Sequence, residues 1–176
     1  LLDTIFIDGY DQLSSDDILI AIYNYMIDDD NFIYQRDIKD EWATVDEFIS
    51  SRRGDCEDFA NLQSSLSIAA LRLAGHEDAA SRIDVYAGRL MGPHTTLGHA
   101  FMTYVTENGE RVVLDSTDQR PIRSLDLDLI SDRRYEQLSK KYHFNLAVSY
   151  SADVSTIHNK SIVEAGFQTS VDFYIG

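Results

Sequence analysis

A change in the spacing of apolar residues near the middle of the chain constrains the fold most. Between residues 56 and 74 they recur every three or four positions, which predicts an amphipathic helix that Asp55 caps and Gly75 ends. From residue 83 the spacing changes to two, which is typical of strands. Three strands are predicted, at 83–90, 99–105 and 111–115. A helix followed by consecutive strands favours an α+β fold with the helix packed on an antiparallel sheet.

Further elements are predicted on both sides of this unit. Capping residues at 14–17 start a helix at about 16–28, and Thr44 forms a capping-box pattern with Glu47 for a short helix that ends near Ser51. The polar segment between these two helices, up to about residue 39, is predicted to be a loop. A helix at 126–141 and strands at 144–150 and 171–175 are predicted in the last third. No repeat or linker interrupts the chain, so residues 1–176 are interpreted as a single domain.

Composition excludes several classes of function. The 176 residues carry 30 acidic and 15 basic side chains, a formal net charge of -15, without a basic cluster, which argues against a nucleic-acid partner. A single Cys excludes an internal disulfide and any multi-thiolate metal site. The longest apolar stretch, Ile18 to Tyr23, is far shorter than a membrane span. The chain begins at Leu1 without a Met, so we expect a trimmed precursor or an excised domain, and location stays open.

The single thiol lies where a nucleophile can be activated. Cys56 begins the predicted helix, where free N–H groups and the helix dipole lower a thiol pKa and can also hold an oxyanion. Its position on the edge of the apolar stripe predicts that it faces the sheet. The carboxylates of Asp55, Glu57 and Asp58 oppose thiolate formation, so a positive His, solvent or a bound cation must offset them.

A general base must come from one of the histidines at positions 76, 94, 99, 143 and 158. His99 is the best placed, because it follows the Gly-containing loop 91–98 and starts a strand that the Cys56 helix would cover; His94 is its main rival. An orienting carboxylate is expected on the neighbouring strand, which Asp115 ends.

Three short segments carry a resemblance to a known superfamily. Residues 54–60 (GDCEDFA), 98–100 (GHA) and 113–115 (VLD) resemble the Cys, His and Asp boxes of the transglutaminase-like cysteine proteinases. The bacterial members that release surface adhesins match best. Trp42, which we interpret as core packing, also fits the pattern, and the resemblance covers about residues 40–120.

The resemblance implies a papain-like fold and a cysteine peptidase that cleaves a protein or peptide through a thioester on Cys56. It implies His99 as base, Asp115 as orienting acid, and Asp55 and Glu57 as candidate calcium ligands, with no organic cofactor. It favours a periplasmic or extracellular location. Two alternatives remain open: a protein-glutamine acyltransferase that uses the same triad, and a non-catalytic transglutaminase-like binding module. A zinc site is not expected, because no His pair has helical ligand spacing.

The hairpin after residue 105 tests the triad independently of any family. With a two-residue Asn108-Gly109 turn, Asp115 lies opposite Met102 and on the other face from His99, and Asp118 becomes the better acid. With a three-residue loop and a left-handed Gly109, Asp115 lies opposite Phe101, diagonal to His99 on one face. A catalytic Asp115 therefore requires the three-residue loop or a compensating bulge.

Overall fold

The computed structural model describes residues 1–10, 12–36, 42–91, 96–118, 121–125 and 143–151. The helices are α1 (Leu2–Ile5), α2 (Ser15–Met26), α3 (Val45–Ser51), α4 (Cys56–Leu73) and α5 (Glu77–Ala80). The strands are β1 (Ile33–Tyr34), β2 (Arg53–Gly54), β3 (Ile83–Met91), β4 (Thr96–Val105), β5 (Arg111–Leu114) and β6 (His143–Ser151). A short 3-10 helix, Ser116–Asp118, follows β5. The predicted helix at 126–141 and the predicted strand at 171–175 lie outside the described residues.

Helix α4 is the centre of the molecule. It packs against α2 on one side and against β3 and β4 on the other, and 14 of its 18 residues are buried. Burial on so many sides exceeds the single apolar stripe expected from the sequence, whereas Leu73, an apolar residue at the end of the helix, is 58% exposed. The cap at Asp55 and the left-handed Gly75 bound the helix as predicted. Among the described helices, none combines the length and the apolar character needed to cross a membrane.

The four longer strands form one antiparallel sheet in the order β5-β4-β3-β6. Strand β6 confirms the strand predicted at 144–150 and pairs with β3, with a bulge between Ala87 and Gly88. The turn between β4 and β5 is the three-residue form: the Thr106 N–H donates to the Glu110 carbonyl at 2.8 Å, and Gly109 has a φ of 82°. The two-residue turn, and with it the register that favoured Asp118, does not form, because Met102 pairs with Leu114.

The segment predicted as a loop before residue 39 contains a strand. Ile33 and Tyr34 in β1 pair in parallel with Arg53 and Gly54 in β2. The Ile33 N–H donates to the Arg52 carbonyl at 2.9 Å, and the Gln35 N–H donates to the Gly54 carbonyl at 2.7 Å. This pairing fastens the chain after α2 directly beside the start of α4.

Two contacts join α2 to the chain that follows β5. The Asn24 side chain donates from Nδ2 to the Ile122 carbonyl at 2.8 Å and accepts from the Ile122 N–H at 2.9 Å. The buried Tyr23 hydroxyl donates to the Asp115 carbonyl at 3.2 Å. Helix α2 therefore holds the polypeptide on both sides of the 3-10 helix.

Candidate active site

Cys56 occupies the first position of α4 and is 8% exposed. Its thiol donates to Glu57 Oε2 at 3.3 Å and also has a hydrogen bond with the backbone of Ala100 in β4. The thiol therefore faces the sheet as the helical phase predicts, next to the residue that follows His99.

The start of α4 is fixed by Asp58. This buried carboxylate accepts the Asp55 N–H at Oδ2 (3.2 Å) and the Ala43 N–H at Oδ1 (2.9 Å). Gly54 allows it to do so, since a Cβ on Gly54 would lie only 2.8 Å from the Cβ of Asp58. The glycine before the cap and the acid after the thiol thus set the direction in which α4 leaves β2.

His99 and Asp115 form an ionisable pair in close contact. His99 Nε2 lies 2.7 Å from Asp115 Oδ2, although the two residues are 16 positions apart. The other carboxylate oxygen, Oδ1, accepts from the Thr117 N–H at 3.1 Å and from the Thr117 hydroxyl at 2.7 Å. The three-residue turn described above brings the two side chains to one face, and Thr117 orients the carboxylate toward the imidazole.

The pair shifts the pKa values of both its members. Burial lowers the pKa of His99, but the charge and hydrogen bond of Asp115, with a smaller effect of Asp55, outweigh it and raise that pKa above 6.5. Burial raises the pKa of Asp115, but the charge and hydrogen bond of His99 and the two bonds from Thr117 outweigh it and lower that pKa below 3.8. Both shifts favour an imidazolium-carboxylate pair.

The pKa of the Cys56 thiol moves in the unfavourable direction. Burial raises it most, followed by the charges of Glu57 and Asp55, while the backbone hydrogen bond from Ala100 lowers it. Burial also raises the pKa of Glu57, as do its contact with Asp55 and the Asp55 charge. The carboxylates crowded beside the thiol therefore oppose thiolate formation, as the sequence predicts.

The same carboxylates suit a hard cation. One ligand atom each from Asp55, Cys56 and Glu57 lies within 4.8 Å of the others. Within the part of the chain that the structure describes, Asp55 Oδ1 and Glu57 Oε1 are buried without a hydrogen-bond partner. Calcium binds carboxylate oxygens and balances their charge. The donor set at Asp55 and Glu57 therefore fits the calcium ligands that the resemblance implies.

The sequence identified some of the residues at this site and missed others. His94 lies outside the described residues, and Trp42 packs against the hydrophobic core as expected. Tyr34 and Thr117 were missed. A Thr two positions after Asp115 fits an Asx turn, and this signal could have identified Thr117. The aromatic and β-branched run at 32–34 is a weak strand signal, but it does not show which segment Tyr34 pairs with.

Comparison with known proteins finds similarity in structure. No protein-family model and no curated protein sequence matches the chain. Calcium-bound LapG of Legionella pneumophila superposes with a TM-score of 0.50 and 19% identity, over 75% of this chain and 62% of that one. EGTA-treated LapG of the same organism superposes with a TM-score of 0.49 and 19% identity, over 77% of this chain and 62% of that one. A candidate cysteine protease of Cytophaga hutchinsonii superposes with a TM-score of 0.45 and 16% identity, over 74% of this chain and 39% of that one.

The fold predicted from the sequence is confirmed. The chain has the transglutaminase-like, papain-like fold, in which a Cys-bearing helix packs on an antiparallel sheet. It spans less than two thirds of the length of calcium-bound LapG.

Proposed function

We propose that this chain is a cysteine peptidase whose triad is Cys56, His99 and Asp115. The observation that carries the proposal is the 2.7 Å contact between His99 Nε2 and Asp115 Oδ2, beside a buried thiol at the N-terminus of α4. Nucleophile, base and orienting acid are the three roles that a cysteine peptidase of this kind needs.

The proposed chemistry follows from the atoms of His99 that already have a hydrogen-bond partner. Asp115 occupies Nε2 of His99, which leaves Nδ1 to take the Cys56 proton. The thiolate attacks a peptide carbonyl, and the Cys56 N–H, which has no intrahelical acceptor at the first position, donates to the oxyanion. The imidazolium returns its proton to the leaving amine, and a thioester remains. Water, deprotonated by His99, then hydrolyses the thioester to a carboxylate and restores the thiol.

Calcium is part of the proposal, held by Asp55 and Glu57. A bound cation would supply positive charge next to the thiol, which lowers its pKa and relieves the repulsion from the two carboxylates. The support comes from the unpartnered oxygens of these residues and from the LapG structure described as calcium-bound.

The calcium dependence gives a direct prediction. We expect excess chelator to suppress hydrolysis of an unstructured protein such as casein by at least about tenfold, and added calcium to restore it. Asp55→Ala and Glu57→Ala should lose calcium binding in titration calorimetry. Asp46→Ala, in the exposed first turn of α3, is the matched control and should bind normally. Full activity in excess chelator would remove the ion from the mechanism.

Two measurements test the triad: the reactivity of the Cys56 thiol and the rate of substrate hydrolysis. With calcium present, Cys56 should react with iodoacetamide well below pH 8. Cys56→Ala and His99→Asn should lose at least about a thousandfold in casein hydrolysis. His76→Asn is the matched control, because His76 contacts the Leu13 carbonyl instead. An unreactive thiol would indicate a non-catalytic binding module, and a labelled amine incorporated into a Gln-rich protein would indicate an acyltransferase.

A further inference from the structure

Tyr34 lies at the border between the buried thiol cluster and solvent. The β1–β2 register pairs it with Gly54, two residues before Cys56. Its ring centroid lies 6.1 Å from that of Phe59, in the first turn of α4. Tyr34 is 40% exposed, whereas Asp55, Cys56 and Glu57 are all below 10%. Register and ring contact together hold this side chain beside the helix N-terminus, where a substrate must approach.

The hydroxyl of Tyr34 keeps its proton and can therefore donate a hydrogen bond. Burial, and after it the charges of Cys56, Asp55 and Glu57, raise the pKa of Tyr34 to about 12, against an opposing effect of Arg36. A phenol with this pKa stays protonated throughout the neutral range. Of these three charges, that of Cys56 acts most strongly on Tyr34.

We propose that the Tyr34 hydroxyl is a catalytic residue that donates a hydrogen bond to the oxyanion of the substrate, beside the Cys56 N–H. This inference rests on the proposed function of Cys56. Preorganised donors are aimed at the oxygen on which charge develops, and the helix N-terminus supplies one of them. A phenol fixed by Phe59 supplies another at little entropic cost, because its ring is already held in the free enzyme.

Two reactions of the same thiol separate this role from a structural one. Peptide hydrolysis passes through an oxyanion, whereas alkylation by iodoacetamide displaces iodide at a saturated carbon and forms none. The informative variant is Tyr34→Phe, which keeps the ring and its packing on Phe59. The matched control is Tyr25→Phe, which makes the same chemical change where the ring packs on Phe32, at 6.0 Å.

For Tyr34→Phe we expect kcat for a peptide substrate to fall by about 10²–10³ with KM little changed, as for loss of one oxyanion donor. Alkylation should stay within about twofold of wild type, and a peptide aldehyde, which forms a tetrahedral adduct on the thiol, should bind more weakly. Tyr25→Phe should stay within about twofold in all three measurements.

Three results would overturn the inference: unchanged hydrolysis in Tyr34→Phe, an equal loss in hydrolysis and alkylation, or a change in KM alone. Thermal unfolding of each variant shows whether the fold is retained. A wild-type protein that neither hydrolyses peptides nor reacts with iodoacetamide would overturn the proposed function itself, and the role of Tyr34 with it. With an active wild type, the Tyr34→Phe result bears on Tyr34 alone.

Discussion

At the scale of single residues, His99 is subject to two opposing effects. Burial lowers its pKa, and Asp115 raises it. Asp115→Asn keeps the shape of the side chain but removes its charge, so we expect the pKa of His99 to fall from above 6.5 to below it. Titration of the imidazole by NMR measures this, and Asp46→Asn, on the exposed side of α3, should leave it unchanged. A His99 pKa that stays above 6.5 in Asp115→Asn would mean that another group holds the imidazolium.

The same pair makes stability depend on pH. A raised His99 pKa stabilises the fold fully below about 6.5, and this contribution is lost as pH rises through the raised value. A lowered Asp115 pKa stabilises it above about 3.8, and this contribution is lost as pH falls through the lowered value. We therefore expect the difference in unfolding free energy between wild type and Asp115→Asn to be largest between pH 3.8 and 6.5. Urea titrations across pH measure it, and a flat difference would contradict the linkage.

At the scale of elements, the junction of β2 with α4 depends on Gly54. In Gly54→Ala the new methyl group would collide with Asp58 and displace it from the Asp55 and Ala43 amides. We expect a loss of about 1–3 kcal/mol in unfolding free energy and slower alkylation of Cys56. Urea unfolding and iodoacetamide kinetics measure the two effects. Ser50→Ala, which removes an exposed hydroxyl that donates to the Asp46 carbonyl, is a local control that should change neither. Unchanged stability would show that Asp58 can move without cost.

Elements with their own caps could be predicted from the sequence. The Ser14 and Thr44 capping boxes and the Asp55 cap set the starts of α2, α3 and α4, because a cap is a local signal. The two-residue strands β1 and β2 are too short to show a period of two, and their pairing joins segments 20 residues apart. The β4–β5 register stayed open, because Asn108-Gly109 fits both turn types.

In the candidate site too, features with a local sequence signal could be predicted, and features that depend on long-range pairing could not. Cys56, His99 and Asp115 lie in recognisable boxes, and the His99–Asp115 contact follows once the turn is known. Tyr34 could not be placed from sequence, because its position at the start of α4 depends on the β1–β2 pairing. The depth at which Cys56 is buried likewise depends on elements distant in sequence, α2, β3 and β4, which pack around α4.

At the scale of the whole molecule, Asn24 joins α2 to the chain beyond the 3-10 helix. Asn24→Ala removes both hydrogen bonds to the Ile122 backbone. The N–H and the carbonyl of Ile122 then lose these partners in a partly buried position. We expect a loss of about 1–3 kcal/mol in unfolding free energy. Urea unfolding measures it, with Asn31→Ala, which removes a single bond to the Tyr25 carbonyl, as the milder control. Equal losses of unfolding free energy in the two variants would show that the contact with Ile122 contributes no more to stability than a single side-chain hydrogen bond.

The contacts from α2 to Asp115 and Ile122 also have a consequence for the order of events during synthesis. They span 92 and 98 residues, whereas Cys56 and its capping acids are neighbours in sequence. While the chain grows from the ribosome, Cys56 emerges first, and His99 and Asp115 follow only after 43 and 59 further residues. A nascent chain therefore carries the thiol but cannot assemble the His99–Asp115 pair against α2. If the site cleaves proteins, translation itself delays that activity until the sheet has been made.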